Sequence, residues 1–185
     1  TQASKHLKKT LAAGLVPILK GSPGLGKSTL IKNIAKKFNL EVIDLRLSQC
    51  DPVDLLGFPS IDKEKNKAGY IPMSTFPIEG DTLPEGKKGW LLFLDEMNGA
   101  SKAVEIAAYK LVLDRQVGQF NLHKNVAIVA AGNLSTDGAI VNEQSTAMAS
   151  RLIHFTLKVD NASWLDWAAA NGIDYRIISY INYRP

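Results

Sequence analysis

Hydrophobic and polar positions follow a helical period in some segments of the chain and a strand-like pattern in others. Apolar residues spaced three and four apart predict an amphipathic helix over residues 27–38. Helices are also predicted over residues 5–14, 102–113, 161–171 and 174–182. Short apolar or alternating runs predict five strands, over residues 16–20, 41–47, 90–94, 126–131 and 152–157. Because strands and helices alternate, we predict an α/β fold with a mainly parallel five-stranded sheet.

The stretch between residues 51 and 89 interrupts this alternation. Prolines and glycines recur through it, and it contains the charged run 62–67. A segment of this length without regular structure is commonly functional or mobile. We therefore predict an irregular insertion over residues 51–89, with a solvated tip at residues 62–67.

Composition places the 185-residue chain among ordinary globular proteins. Hydrophobic residues make up 45% and charged residues 22%, which argues against disordered, collagen-like and coiled-coil classes. The formal net charge of +4 is mild, so a nucleic-acid partner is possible but not indicated. Apolar runs are too short to cross a bilayer and no signal-peptide pattern is present, so no membrane partner is expected. The single cysteine, Cys50, agrees with a reducing compartment, and we expect a cytoplasmic protein.

The turn between the first strand and the following helix carries the strongest chemical signal. Its sequence is Gly-Ser-Pro-Gly-Leu-Gly-Lys-Ser, in which four residues separate Gly21 from Gly26 and a lysine and a serine follow. The glycines let backbone N–H groups point at phosphate oxygens, and the start of the helix adds partial positive charge. Lys27 is expected on the β- and γ-phosphates and Ser28 on Mg²⁺. The predicted nucleotide-binding residues are Ser22, Pro23, Gly24, Leu25, Gly26, Lys27, Ser28 and Thr29.

Polar residues also end the third and fourth predicted strands. Asp95 and Glu96 follow the apolar run 90–94, at the sheet edge where ligands of open α/β sheets gather. Asp95 is predicted to hold Mg²⁺, and Glu96 to activate the attacking water. Asn133 follows the strand 126–131 and is predicted to lie between the water and the γ-phosphate. The alternatives are two solvated acids at a strand end and a turn-forming asparagine.

Arg151 directly precedes the last predicted strand. A cation at the edge of a domain can complete a neighbouring subunit's site and stabilise charge in the transition state. An ordinary surface arginine is the alternative, and Arg115, at the end of the predicted helix 102–113, is a competing candidate for the same role.

Taken in chain order, these features resemble the AAA+ ATPases. Residues 21–28 are similar to the Walker A motif, Asp95 and Glu96 to Walker B, Asn133 to sensor 1 and Arg151 to the arginine finger. The stretches Leu-Asp-Glu-Met-Asn, Ala-Ala-Gly-Asn and Ala-Ser-Arg-Leu and the helix 164–172 are similar to blocks of the MoxR and dynein-related branch.

The resemblance implies the αβα sandwich of the P-loop NTPases and Mg²⁺-dependent ATP hydrolysis. Lys27, Glu96 and Asn133 would then be catalytic, with Arg151 acting in trans within a ring, often a hexamer, that remodels an unknown protein partner. The core would cover residues 1–159, and residues 160–185 would begin a helical lid. The aromatic side chains Phe58, Tyr70 and Phe76 would either grip a substrate at the pore or anchor a surface loop.

Two positions depart from the branch pattern. Gly99 stands where a basic residue often follows the asparagine of the Asp-Glu-x-Asn block. The resemblance also places a sensor 2 arginine in a lid beyond residue 185, so the chain is expected to be a truncated ATPase core.

Two other functions remain open from the sequence. A small P-loop kinase would transfer phosphate to a metabolite, but such kinases depend on several substrate-binding arginines, and between residues 47 and 150 only Arg115 is present. A nucleotide-gated assembly module would oligomerise on ATP and turn over poorly. The acidic pair and Asn133 favour water as the acceptor and therefore hydrolysis.

Overall fold

The computed structural model describes residues 2–64, 66–134 and 146–184. Helices and strands alternate through these ranges, as the hydrophobic pattern predicts. The helices are α1 (Gln2–Ala12), α2 (Lys27–Phe38), α3 (Pro52–Leu56), α4 (Lys102–Leu113), α5 (Thr146–Ala149), α6 (Asn161–Ala170) and α7 (Tyr175–Tyr183). The strands are β1 (Val16–Lys20), β2 (Glu41–Arg46), β3 (Phe58–Asp62), β4 (Lys67–Ile71), β5 (Trp90–Asp95), β6 (Gln116–Val117), β7 (Phe120–Asn121), β8 (Val126–Gly132) and β9 (Leu152–Thr156).

A five-stranded sheet forms the centre of the molecule. Its strand order is β2-β5-β8-β1-β9, and every neighbouring pair is parallel. This confirms the predicted α/β fold with a parallel five-stranded sheet. All five strands therefore end at one edge, here called the site edge, and begin at the opposite one, here called the entry edge.

Helices cover both faces of this sheet, which explains why its central strands are apolar on both sides. In β5, Leu91 and Phe93 pack into a layer with Leu7 of α1 and Ile31 of α2. The alternate residues of β5 pack into a second layer, on the opposite face. That layer includes Leu92, Leu94, Val104, Ala108, Leu111, Ile128 and Ala130. The result is the αβα sandwich that the sequence predicts.

The entry edge is fixed by hydrogen bonds between the turns that lead into three strands. The backbone N–H of Lys88 donates to the Asn39 carbonyl at 2.9 Å, and the N–H of Glu41 donates to the Gly89 carbonyl at 2.9 Å. The Asn125 side chain donates to the Lys88 carbonyl at 2.9 Å. These bonds set the relative heights of β2, β5 and β8, and so the heights at which their last residues emerge.

The segment 51–89 carries more regular structure than the sequence predicts. Helix α3 begins with a capping box between Asp51 and Asp54, and β3 and β4 form an antiparallel hairpin. Phe76 is buried in the core, whereas Phe58 and Tyr70 on the hairpin are exposed. The prediction of an irregular insertion is thus wrong for residues 52–62 and 67–71, and the alternative of a loop anchored on the core holds for Phe76. A second, short hairpin of β6 and β7 was likewise not predicted from the pattern.

Two helices follow the last strand of the sheet. Asp160 and Asp174 cap their N-termini by accepting hydrogen bonds from Ser163 and Arg176 backbone N–H groups. The two helices pack on each other. Their assignment to a lid separate from residues 1–159 stays a prediction. None of the helices in the described part of the chain combines the length and apolar character that crossing a bilayer requires.

Candidate functional site

The phosphate loop, residues 21–28, leaves the site edge after β1 and runs into α2. Gly24 and Gly26 have φ of +82° and +75°, a left-handed conformation that residues with a Cβ rarely adopt. A Cβ at either position would meet no atom within 4 Å, so backbone conformation and not crowding demands glycine there. The loop is therefore an open cradle whose shape depends on these two residues.

Lys27 lies buried at the bottom of this loop, with 9% of its surface exposed. Its Nζ donates to the carbonyl oxygens of Gly21 and Ser22, at 2.5 and 3.0 Å, and to Oδ1 of Asn133 at 3.2 Å. The predicted lysine and the predicted asparagine thus meet, although 106 positions separate them in sequence. A buried ammonium held by oxygen atoms in an open loop is suited to phosphate oxygens, which are stronger acceptors than carbonyls.

Ser28 and Asp95 meet next to this lysine. The Ser28 hydroxyl donates to Oδ2 of Asp95 at 3.3 Å, reaching from the start of α2 across β8 to the end of β5. A hydroxyl and a carboxylate are the hard oxygen ligands that Mg²⁺ prefers. The residues present therefore suit a magnesium ion, as the sequence predicts.

Glu96 follows Asp95 in an unusual backbone conformation. Its φ of 53° is left-handed for a residue with a Cβ, a conformation that costs of order 1–3 kcal/mol and clusters at functional sites. It opens a short turn, residues 96–99, that is closed by a Gly99 N–H to Glu96 carbonyl bond of 2.9 Å. Its carboxylate accepts a hydrogen bond from the Ser48 hydroxyl, which lies just after β2. Glu96 is thus held at the site edge, half-buried, with its carboxylate engaged.

Sequence reasoning missed two residues of the site, Ser48 and Asn98. Asn98 is buried in the turn 96–99 and bonds to the backbone of Asn133. Its signal in the sequence is the Asp-Glu-Met-Asn block, but the motif alone assigns no role to the last residue. Ser48 has no local signal, because its contact with Glu96 depends on the pairing of β2 with β5.

The structure does not bring Arg151 to the other site residues. β9 pairs with β1 from Val16 opposite Leu152 to Lys20 opposite Thr156, so Arg151 lies at the entry edge. Arg151 is thus level with residue 15, six residues before the loop begins at Gly21, and at about 3.3 Å per residue some 20 Å separates the two levels. Its guanidinium donates to the Tyr109 hydroxyl at 3.0 Å and lies 5.7 Å from the centre of that ring.

Arg115, the competing candidate, also lies at the entry edge. Its guanidinium donates to the carbonyl of Val126, the first residue of β8. Partial burial lowers its pKa from the usual range. Neither arginine can therefore reach a phosphate bound in the loop of its own chain.

Two cavities, of about 440 and 540 Å³, also open at the entry edge, and both are lined by Arg115 and Lys124. No residue of the phosphate loop lines either of them. We place the functional site at the loop nevertheless, because the chemistry converges there and an open cradle on a sheet edge is not an enclosed cavity.

Comparison with known proteins agrees with this geometry. The family model "ATPase family associated with various cellular activities (AAA)" matches residues 17–152, a range that includes the loop, the acidic pair, Asn133 and Arg151. The chain belongs to the AAA family. Membership in an ATPase family implies that this AAA domain binds nucleotide and has ATP-dependent activity.

Two individual proteins that resemble the chain have low sequence identity to it. It is 31% identical over 116 residues to Midasin from Dictyostelium discoideum, an alignment that covers 55% of this chain and 2% of that protein. A crystal structure of a candidate ATPase from Cytophaga hutchinsonii is 20% identical, with a TM-score of 0.62 over 89% of this chain and 48% of that one. At this identity, the structural match speaks for the fold alone. The chain thus spans a small part of Midasin and about half of the solved protein.

Proposed function

We propose that the chain binds ATP together with Mg²⁺ and hydrolyses the bond between the β- and γ-phosphates. The observation that carries the proposal is the convergence at one sheet edge of Lys27 with Asn133 and of Ser28 with Asp95. These four side chains come from the ends of two neighbouring strands, β5 and β8, and from the start of α2, and Glu96 follows Asp95. Together they supply a phosphate-binding cation, a metal-binding oxygen pair and a base.

Binding uses the loop and Lys27. The open left-handed turn at Gly24 and Gly26 and the start of α2 receive the phosphates, and Lys27 Nζ exchanges carbonyl partners for β- and γ-phosphate oxygens. Ser28 and Asp95 would hold Mg²⁺, which when bound neutralises charge on the phosphate oxygens. The two oxygen atoms already lie 3.3 Å apart beside the loop.

The hydrolytic step uses Glu96 and Asn133. Glu96 accepts a proton from water as the water oxygen forms a bond to the γ-phosphorus. The bond from that phosphorus to the β–γ bridging oxygen breaks, and ADP leaves with the electron pair. Asn133, held beside Lys27, offers its amide to the water and the γ-phosphate. The proton taken by Glu96 passes to solvent with the inorganic phosphate.

Arg151 is proposed to act on the site of a neighbouring copy. The support is its place at the entry edge, about 20 Å along the sheet from its own phosphate loop. It contributes charge stabilisation only if another copy presents its loop to this edge. Self-association into a ring, a hexamer by resemblance, would provide this contact at every site.

The remodelled partner is proposed to be a protein, as in MoxR-like ATPases. The motif blocks and the 31% identity to Midasin support this branch. The exposed apolar side chains of the β3–β4 hairpin support a role in partner contact, since Phe58 is 64% and Ile61 72% exposed. Phe76 is excluded from that role because it is buried.

Kinase activity receives no support from the site. Arg115, the sole arginine between residues 47 and 150, is bonded to the Val126 carbonyl at the opposite edge. No arginine from that stretch is therefore available to hold a second substrate beside the γ-phosphate. Radiolabelled ATP incubated with a metabolite panel should release inorganic phosphate, and a labelled metabolite in its place would overturn the proposal.

Substitutions at Lys27 and Glu96 separate binding from turnover. Lys27→Ala should abolish nucleotide binding, measured by titration with a fluorescent ATP analogue, because it removes the buried ammonium. Glu96→Gln should keep binding within a few-fold of wild type and lower kcat by about 10²–10⁴, the usual contribution of a general base. Lys36→Ala on the exposed face of α2 is the matched control and should change neither. Unchanged phosphate release by Glu96→Gln would favour a nucleotide-gated assembly module instead.

A further inference from the structure

The side chain of Asn98 holds the backbone of Asn133 by both of its polar atoms. Its Nδ2 donates to the Asn133 carbonyl at 2.7 Å, and its Oδ1 accepts from the Asn133 N–H at 3.0 Å. Only 7% of Asn98 is exposed. Because one bond needs a donor and the other an acceptor, an amide is the side chain that satisfies both. We call this pair of bonds the Asn98 clasp.

Gly132 makes room for the clasp. A Cβ placed on Gly132 would lie 2.7 Å from Oδ1 of Asn98, closer than real Cβ atoms approach, and 3.1 Å from its Cγ, which is also a tight contact. The φ of Gly132 is not left-handed, so its backbone would accept alanine and the close approach of Asn98 alone demands glycine. The Gly132 carbonyl in turn accepts a bond of 3.3 Å from Gly21 N–H, at the start of the phosphate loop.

The clasp joins the two halves of the proposed hydrolytic site. Asn98 lies two residues after Glu96 in the turn 96–99, and Asn133 bonds to Lys27 through its Oδ1. The position of the base and the position of the amide beside the γ-phosphate are therefore set relative to each other by a buried side chain. Neither bond is exposed to full competition from water, so each is costly to break without a replacement.

We propose that Asn98 is a positioning residue for hydrolysis, holding Asn133 in register with Glu96. The inference rests on the proposed function. Both of these side-chain hydrogen bonds of Asn98 go to the backbone of Asn133 and not to the phosphate loop. It therefore acts on turnover through Asn133 and leaves nucleotide binding to the loop.

The first test replaces Asn98 in the full-length protein. Asn98→Ala should lower kcat by about 10- to 100-fold, the scale on which misplaced catalytic groups act. The affinity for a fluorescent ATP analogue should stay within about threefold of wild type, since the loop contacts remain. Asn98→Asp should not rescue turnover, because a carboxylate keeps the acceptor but has no N–H for the Asn133 carbonyl. Rates are expressed per nucleotide-binding molecule, so that a loss of folded protein does not count as a loss of turnover.

The second test uses Gly132, which reaches the clasp from the other side. Gly132→Ala should displace the Asn98 amide and lower kcat in the same range. In the Asn98→Ala background the added methyl meets no amide. Adding Gly132→Ala to that variant should therefore lower kcat by less than a further factor of about three. Gly69→Ala, in β4, is the control: its nearest neighbour is the flexible end of Gln119 at 3.4 Å, and kcat should not change.

Hydrogen exchange gives a readout that does not depend on turnover. The Asn133 amide, followed by NMR, should exchange faster in Asn98→Ala than in wild type. The clasp does not connect Asn98 to Asn133 in turnover if this exchange is unchanged. The same conclusion follows if the kcat losses of Asn98→Ala and Gly132→Ala multiply in the double variant. If the wild type hydrolyses ATP and the Asn98→Ala variant has the same kcat, the positioning role is overturned and the proposed function stands. A wild type that binds ATP and releases no phosphate overturns the proposed function as well.

Discussion

At the scale of single residues, Lys27 shows how the site is assembled. Its ammonium lies where the end of β1, the start of α2 and the end of β8 meet, and oxygen atoms from the loop and from Asn133 surround it. Burial of a cation in a folded chain is costly unless such acceptors are present. The lysine is thus already held in the place where the proposed γ-phosphate would arrive.

Cys50 offers a prediction at the same scale. Burial, followed by the charges of Asp54 and Asp51, raises the pKa of its thiol, which also donates to the Arg46 carbonyl at 3.2 Å. A higher pKa leaves less thiolate at a given pH, and the thiolate is the reactive form. Alkylation by iodoacetamide at pH 8 should therefore be several-fold slower than that of free glutathione. The urea-unfolded chain is the control and should react at the ordinary rate; equal rates for folded and unfolded chains would contradict the prediction.

Most residues of the candidate site could be predicted from the sequence. The loop, Asp95, Glu96 and Asn133 lie at strand ends, and parallel strands bring such ends to one edge. Asn98 and Ser48 could not be assigned a role in this way. Their functions depend on which side chain lies opposite them in space, and the hydrophobic pattern does not specify that.

At the scale of elements, the entry edge depends on Gly89. A Cβ there would lie 2.2 Å from the Asn125 carbonyl oxygen, and the φ of 154° is itself available almost only to glycine. We expect Gly89→Ala to lower the free energy of unfolding by about 3 kcal/mol or more, since backbone strain and overpacking add. Thermal or urea unfolding followed by circular dichroism would measure this.

Gly86→Ala is the matched control for this experiment. Gly86 also has a positive φ, of 66°, but a Cβ there meets no atom within 4 Å. Gly86→Ala should therefore lower the free energy of unfolding only by the cost of a left-handed backbone with a Cβ, about 1–2 kcal/mol. Equal losses for the two variants would mean that the contact between Gly89 and Asn125 does not matter for stability.

The β3–β4 hairpin marks the limit of prediction for elements. Its strands contain Pro59 and Gly69, residues that sheets usually exclude from their interiors. They are tolerated here because the sheet has two strands and every strand is an edge. The many prolines and glycines therefore predicted an irregular segment, whereas the pairing of β3 with β4 makes it regular. By contrast, α4 has the bounds that the hydrophobic pattern predicts, and the Ser101 side chain caps its start by accepting a hydrogen bond from the Val104 N–H.

At the scale of the whole molecule, the parallel sheet places the candidate site residues and the two candidate arginines at opposite edges. Every strand ends at the site edge, where the loop and the acids lie, and Arg151 and Arg115 remain at the entry edge. Strand direction was predictable from the alternation of strands and helices. That Arg151 lies beyond reach of its own loop follows from the pairing of β9 with β1, which the sequence did not specify.

Mixing two inactive variants tests whether Arg151 serves a neighbour. Arg151→Ala and Glu96→Gln should each bind nucleotide and turn over poorly. In a ring assembled at random from equal amounts, a site is complete when Glu96 comes from the first variant and Arg151 from the second. About one quarter of the sites meet this condition, so about a quarter of wild-type phosphate release should return. No recovery, with mixed assembly verified by mass spectrometry, would contradict a shared site.

The distance between Arg151 and the loop also restricts the symmetry of any assembly that uses both. In a twofold pair, Arg151 of each copy would serve the loop of the other only if one contact patch spanned the roughly 20 Å between them, and such a pair holds two copies and no more. The proposed ring needs instead a heterologous contact, in which each copy offers a different surface to the copy on either side. Whether such a chain of copies closes or grows into a filament depends only on the rotation from one copy to the next.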